Sequence, residues 1–195
     1  MIEKKVIKAK KDEFAIKEFV KEEIGKGKIS SIKIERMPIG EKIIIKTSKP
    51  GLVIGKRGES IQDLTNILKK KFNLENPKLE ITEIERPEFD AQSVADEIAL
   101  ALERFGSNSF KIIAYKVMEK IKKAGALGCE IILSGKLPSE KARTWCFSFG
   151  YLMRSGESAK LVDRARAVAQ TKPGVIGIKV SILPPNVKIP DKIEV

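Results

Sequence analysis

The feature that most constrains this sequence is a basic turn flanked by two glycines, Gly55-Lys56-Arg57-Gly58. The turn follows the apolar run 43–45, which predicts a buried strand, and precedes residues 60–72, which predict a helix. Glycine lets a backbone turn sharply and lets a ligand approach without a Cβ in the way. A helix that begins just after the turn directs unpaired N–H groups and its positive dipole end outward. With the charges of Lys56 and Arg57, this arrangement predicts a site for a polyanion backbone.

The turn does not match the glycine-rich loops of nucleotide-binding enzymes. A P-loop needs a glycine, four residues, and then Gly-Lys followed by Ser or Thr. Here Pro50 takes the place of the first glycine, and Arg57 takes the place of the hydroxyl residue that binds magnesium. The Gly-x-Gly-x-x-Gly fingerprint of dinucleotide-binding folds is also absent from the sequence. What remains is a Gly-x-x-Gly turn between apolar helices, the loop that clamps nucleotides in KH domains.

Apolar residues on both sides of the turn favour this interpretation over an ordinary strand-to-helix turn. The run 52–54 precedes the turn, and Ile61, Leu64 and Leu68 follow it at helical spacing. We expect the apolar neighbours to support a groove beside the loop rather than to read bases. The predicted RNA-binding residues are Gly55, Lys56, Arg57, Gly58, Lys49, Val53, Ile54 and Ile61.

The composition favours a nucleic-acid partner and argues against an enzyme. The formal net charge is +12, and the absence of histidine excludes His-based triads and mixed Cys/His zinc sites. Cys129 and Cys146 lie among apolar neighbours and predict buried free thiols. No apolar run is long enough to cross a bilayer and no apolar signal region lies in 1–11, so we expect a cytoplasmic protein. We predict no catalytic residue, metal site, cofactor, membrane partner or small-molecule substrate.

The charges are distributed in blocks. Residues 42–72 contain eight cations and two acids, and residues 111–172 contain thirteen cations and five acids. Between them, residues 73–105 contain nine acids and three cations. Two basic regions that flank an acidic one indicate two separate surfaces for a polyanion, although lysine that only keeps the chain soluble is the alternative.

The hydrophobic pattern predicts a small α+β domain over 11–87, preceded by a lysine-rich tail at 1–10. A helix over 11–25 is expected to place Phe14 and Phe19 in the core. Alternating strands are predicted at 29–37, 41–47 and 79–86, and they would form a three-stranded sheet covered by helices.

A second α/β domain is predicted over 88–185, followed by a tail at 186–195. Two helices are expected, one from Asp90 to Phe105 and one from Ser109 to Ala124, together with a roughly four-stranded sheet. Strands are predicted at 127–136, 144–154 and 174–183. The segment 158–171 has helical propensity but also alternates, so the residues alone leave its structure open.

Three segments together resemble the small-subunit ribosomal protein S-three family, in its archaeal and eukaryotic branch. They are 53–58, 125–137 and 174–180, and the resemblance extends over 11–183. It implies a type II KH domain followed by a family-specific α/β domain, in which the segment 158–171 is a strand.

The resemblance also implies a function and a second set of site residues. A member of this family would bind small-subunit (16S) rRNA and neighbouring ribosomal proteins in the head of the small subunit, where mRNA enters. Lys111 matches the first of two adjacent cations on the mRNA path, Ile112 occupies the second position, and Lys116 is a candidate to compensate. The remaining candidates are Lys136, Lys141 and Arg143, in the basic loop after the Ser-Gly-Lys strand.

Two alternatives belong to other classes of function. One is a free-standing KH regulator of RNA outside the ribosome. The other is a metal-dependent nuclease or a lyase that uses lysine and paired acids. The acids of 80–85 are explained more simply by the alternation of a strand with an acidic surface.

Overall fold

The computed structural model describes residues 2–25, 27–37, 40–72, 74, 77–185 and 187. The chain divides into two compact units, Met1–Glu85 and Arg86–Val195. The sequence boundary was placed at Pro87, two residues beyond this division.

The first unit is a three-stranded sheet with three helices. Its elements in chain order are α1 (Ile2–Ile24), β1 (Ser31–Met37), β2 (Gly40–Thr47), α2 (Pro50–Ile54), α3 (Glu59–Phe72) and β3 (Lys78–Glu83). The strand order is β1-β2-β3, with β1 antiparallel and β3 parallel to β2. A parallel pair needs a long crossover, which α2, the glycine turn and α3 provide. The topology therefore places the turn between two helices that pack on the sheet.

Helix α1 differs from its prediction in two respects: the residue at which it begins and the exposure of Phe14. The helix begins at Ile2, so the interpretation of 1–10 as a tail was wrong for residues 2–10. Arg36 of β1 donates a hydrogen bond to the carbonyl oxygen of Ala9 at 3.3 Å, which ties this segment to the sheet. Phe14 is 63% exposed, because it points away from the stripe of Ile16 and Val20 that packs in the core.

The second unit is a four-stranded antiparallel sheet with two helices. Its elements are α4 (Ala91–Phe105), α5 (Phe110–Ala124), β4 (Gly128–Gly135), β5 (Arg143–Gly150), β6 (Asp163–Thr171) and β7 (Gly174–Leu183). The strand order is β5-β4-β7-β6. Residues on one face of the sheet form a core with α4 and α5, including Ile131, Phe147 and Ile178.

The opposite face of this sheet is mostly polar, with Ile132 and Val168 as its larger apolar residues. It is formed by the alternate positions of 130–134 in β4, 144–148 in β5, 164–168 in β6 and 177–181 in β7, which are half-buried or exposed. We refer to it as the open sheet face.

The segment 158–171 is extended from Asp163 onwards, whereas Glu157–Leu161 is a short 3-10 helix. Strand β6 pairs with β7 along its whole length, so long-range pairing overrides the helical propensity of its alanines. Strand β5 ends at Gly150 instead of continuing to Arg154. Gly150 has φ 67, and a Cβ there would lie 2.2 Å from the carbonyl oxygen of Leu127.

One thiol of the second unit that was predicted to be buried is exposed, and so are two apolar side chains of its helices. Cys146 lies on the open sheet face, so its prediction as a buried thiol was wrong, whereas Cys129 is buried in the core. Ile112 is 73% exposed on α5 and Leu100 is exposed on α4. These helices bury one stripe each, and an apolar residue outside that stripe faces solvent.

Candidate nucleic-acid interfaces

The glycine turn of the first unit has an unusual backbone. Helix α2 ends at Gly55, whose N–H donates to the carbonyl oxygen of Gly51 at 3.1 Å. Gly55, Arg57 and Gly58 all have positive φ, at 74, 54 and 80. Arg57 is the one non-glycine residue with positive φ among the described residues. The turn reverses the chain within four residues and delivers it to α3 at Glu59.

The two glycines are needed for different reasons. A Cβ on Gly55 would lie 2.1 Å from Oγ and 2.8 Å from Cβ of Ser60, so the turn leaves no room for a side chain there. A Cβ on Gly58 would have no atom within 4 Å. Gly58 therefore keeps its left-handed backbone without strain and leaves the outer surface of the turn open to a ligand.

The cations of the turn are available for an external anion. Lys56 and Arg57 are exposed, and neither makes an ion pair within the described ranges. Lys49 is exposed at the start of α2, and its backbone N–H donates to the hydroxyl of Thr47 at 3.0 Å. The same hydroxyl donates to the carbonyl oxygen of Lys28. The buried Thr47 thus fixes the point at which the chain enters α2.

The apolar neighbours of the turn divide into a core residue and surface residues. Val53 is 2% exposed and packs in the core, so it supports the turn from beneath. Ile54 is 37% exposed and Ile61 is half-buried. Leu52, which the sequence analysis placed in the apolar run 52–54 but not among the predicted RNA-binding residues, is also exposed. Its position before the turn in an apolar run was the signal that could have indicated it.

A shallow groove beside the turn is not basic. It lies between the end of α1, helix α2 and the first half of α3, and its charged lining residues are Glu23, Asp63 and Lys28. Two carboxylates against one ammonium group disfavour a phosphate in this groove. The positive charge of this region is instead concentrated on the turn itself.

In the second unit, four of the predicted cations lie at one end of the sheet. The Nζ of Lys111 lies 4.8 Å from the ring centroid of Trp145 in β5. Arg143 begins β5 opposite Gly135, the last residue of β4, and Lys136 follows directly. Lys141 is exposed in the loop between these strands. Lys111, Lys136, Lys141 and Arg143 therefore surround the β4–β5 connection.

Lys116 lies outside this group. It is five residues from Lys111, which corresponds to about 140° around a helix. It instead shares a stripe of α5 with Ile112, one turn away and exposed. Lys116 can therefore supply a cation near the position of Ile112, but not beside Lys111.

The structure shows further cations that the sequence analysis did not include. Arg164 and Arg166 lie on β6, Lys179 lies on β7, and all three belong to the open sheet face. Arg154 lines the same part of this surface. The Arg-x-Arg alternation of 164–166 was the available signal, but it indicates one face of a strand only once the strand is established.

None of the helices in the described ranges combines the length and apolar character of a bilayer-spanning segment. Within the same ranges, no three side chains of His, Cys, Asp or Glu come close enough to hold a metal ion.

The topology of the first unit, with its Gly-x-x-Gly crossover, defines a type II KH domain, and the second unit is a separate antiparallel α+β domain. The family model described as "KH domain" matches residues 15–89. The family model described as "Ribosomal protein S3, C-terminal domain" matches residues 98–182.

Similar curated proteins extend this finding to the whole chain. The small ribosomal subunit protein uS3 of Methanocaldococcus jannaschii is 44% identical over 99% of this chain and 92% of its own length. That of Archaeoglobus fulgidus is 40% identical over 100% of this chain and 84% of its own length. That of Halobacterium salinarum is 40% identical over 92% of this chain and 59% of its own length. The chain belongs to the ribosomal protein S3 family, a family of structural and not enzymatic proteins.

Proposed function

We propose that this chain is a structural constituent of the small ribosomal subunit, where it binds small-subunit rRNA in the head and helps to form the site at which mRNA enters. The observation that carries the proposal is the similarity over the whole chain to proteins named small ribosomal subunit protein uS3. In this role the chain works in the cytoplasm, in contact with rRNA, mRNA and neighbouring ribosomal proteins.

The KH turn contributes phosphate contacts. The unpaired side chains of Lys56 and Arg57 are exposed beside Gly58, where no side chain blocks the approach of a sugar-phosphate backbone. Contacts of this kind supply affinity that falls steeply with salt and that does not depend on base identity. Specificity then comes from the folded shape of the rRNA.

The β4–β5 connection contributes the mRNA contacts. Lys111, Lys136, Lys141 and Arg143 present cations around one exposed loop, and Trp145 holds Lys111 at its edge. An mRNA must move past this surface whatever its sequence. Contacts to its phosphates, which do not depend on base identity, are therefore more suitable here than contacts to bases. Lys116 adds a cation farther along α5.

The test is sedimentation of cell extract through a sucrose gradient at low and then at high salt, with an antibody against this chain. We expect the chain to stay with the small subunit through the high-salt wash, because a structural constituent makes many phosphate contacts at once. A chain that runs free at both salt concentrations would overturn the proposal and favour a free-standing KH regulator.

A further inference from the structure

The open sheet face places two like charges side by side. Arg166 of β6 and Lys179 of β7 are direct cross-strand partners in the antiparallel register. Both side chains are exposed, and in the described part of the chain neither makes an ion pair. Like charges directly opposite each other on a sheet are destabilising, so the fold alone gives no reason for this pair. A bound anion between the two side chains would remove the repulsion.

Two further arginines extend the basic area along the same face. Arg164 lies beside Arg166 on β6, opposite Ser181. Its guanidinium donates to the carbonyl oxygen of Met153 at 3.4 Å. Arg154 makes an ion pair with Glu130 at 2.6 Å. Among the described residues, Glu130 is the one acid that lines this surface together with Arg154, Arg164, Arg166 and Lys179, so the positive charge is in excess.

The remaining side chains of the face are the apolar Ile132 and Val168 and several small residues. Gly177 lies opposite Val168 of β6 and Ser134 of β4, and Ser181 lies opposite Arg164 and Glu130. Short side chains keep the relief of the surface low, and serine hydroxyls donate readily to phosphate oxygens. A rigid, convex ligand can therefore approach the arginine and lysine side chains across Gly177 and Ser181.

The described residues of the face include no aromatic side chain, the type that a protein partner or an unstacked base would use as an anchor. Trp145, Phe147 and Phe149 of β5 all pack towards the helical side of the sheet. Aromatic anchors are enriched at protein interfaces and provide the stacking platforms for single-stranded bases. Their absence from the described part of this face, together with unpaired cations, favours the backbone of double-stranded RNA over either of these ligands.

We propose that the open sheet face of the second unit is a binding site for the sugar-phosphate backbone of double-stranded RNA, with Arg166 and Lys179 sharing phosphates. This site is distinct from the KH turn and from the β4–β5 connection. In the proposed function its ligand is a helical segment of rRNA, and to that extent the inference rests on that function. The binding is independent of base sequence, because every contact named here reaches a phosphate.

The test measures binding of the full chain to a labelled, blunt-ended RNA duplex by fluorescence anisotropy at several salt concentrations. The test variant is Arg166→Gln/Lys179→Gln. The matched control is Lys122→Gln/Lys123→Gln, which removes the same charge from exposed positions in the last turn of α5. We expect the test variant to bind at least tenfold more weakly than the control. Its plot of log affinity against log salt should be shallower by about 1.8, the loss of two phosphate contacts on a duplex.

A second variant separates binding from folding. Lys179→Glu places a carboxylate opposite Arg166, which replaces a repulsive cross-strand pair with an attractive one. We expect its melting temperature to rise while its affinity for the duplex falls, a combination that a purely structural role would not produce. Equal loss of affinity in the test and control variants would overturn the inference, and so would duplex binding that both face variants leave unchanged.

The result of the duplex-binding experiment can also be distinguished from the result of the sedimentation experiment that tests the proposed function. Sedimentation reports whether the wild-type chain is part of the small subunit, whereas the duplex experiment reports one surface of the purified chain. A chain that sediments with the subunit but whose face variants bind RNA normally and lose a ribosomal protein neighbour would overturn this inference alone.

Discussion

The ammonium group of Lys111 lies 4.8 Å from the ring centroid of Trp145, which joins the first turn of α5 to strand β5. The contact explains why a lysine at the start of this helix has a defined position although it is exposed. It also brings Lys111 towards Arg143, two residues before the tryptophan in β5. The predicted mRNA-binding residues of this unit, except Lys116, therefore form one group in space, although they come from separate segments of the sequence.

Replacing Lys111 should weaken mRNA binding with only a small effect on the fold. Lys111→Gln removes a cation–π contact, which at an exposed site is worth about 0.5–1 kcal/mol of unfolding free energy. Crosslinking of reconstituted small subunits to mRNA should decrease in this variant. Lys116→Gln is the control on the other stripe of α5 and should have the smaller effect. Equal crosslinking in the two variants would contradict the grouping.

The two glycines of the KH turn should differ in their sensitivity to alanine. Gly55→Ala adds a Cβ that meets Ser60 and also strains a left-handed backbone, so we expect a loss of about 3 kcal/mol of unfolding free energy. Gly58→Ala adds only the backbone strain, for about 1 kcal/mol. Urea unfolding of both variants measures the difference, and similar losses would show that the contact with Ser60 is not rigid.

A negative charge at Gly58 should weaken RNA binding without unfolding the domain. Gly58→Asp places a carboxylate on the open side of the turn, beside Lys56 and Arg57. Gly58→Asn is the matched control, because both residues tolerate left-handed backbone but asparagine is neutral. We expect the affinity for small-subunit rRNA to fall in the aspartate variant well below that of the asparagine variant. Equal affinities, with both folds intact by circular dichroism, would remove the role assigned to this loop.

The buried thiol of Cys129 should make the stability of the chain decrease at alkaline pH. Burial raises the pKa of Cys129 to about 12, whereas a thiol in the unfolded chain titrates near its ordinary pKa of about 8.5. Between these values the unfolded state has lost the proton and the folded state keeps it, so unfolding is favoured as the pH rises. The contribution amounts to about 1.4 kcal/mol for each pH unit above the unfolded pKa.

The measurement compares wild type with Cys129→Ala by urea unfolding at pH 7 and pH 10. The alanine variant loses packing at both pH values but has no thiol to titrate. We therefore expect its deficit in unfolding free energy to shrink by about 2 kcal/mol at the higher pH. A deficit independent of pH would mean that the thiol ionises within the folded protein.

Much of the fold could be predicted because it depends on local sequence patterns. Alternation predicted β7 over Gly174–Leu183 with the bounds that the structure has, and the left-handed Gly125 ends α5 after Ala124 as expected. The boundaries of β1 and β3 were placed less well, because strand ends depend on where the partner strand stops. The exposure of individual side chains was still harder to predict. Phe14 and Ile112 fit helical patterns but fall outside the buried stripes.

The sequence by itself determined the Gly-x-x-Gly turn, the two-domain order and the excess of positive charge, since each depends on neighbours in the chain. The residues alone left 158–171 open and the resemblance implied a strand there. Only the tertiary structure shows that the strand covers 163–171, because its pairing with β7 outweighs the helical propensity of its residues. The same pairing sets Arg166 opposite Lys179, thirteen positions away in the sequence. Cross-strand neighbours follow from register and from which face the helices cover. Both are properties of long-range packing, which local periodicity does not encode.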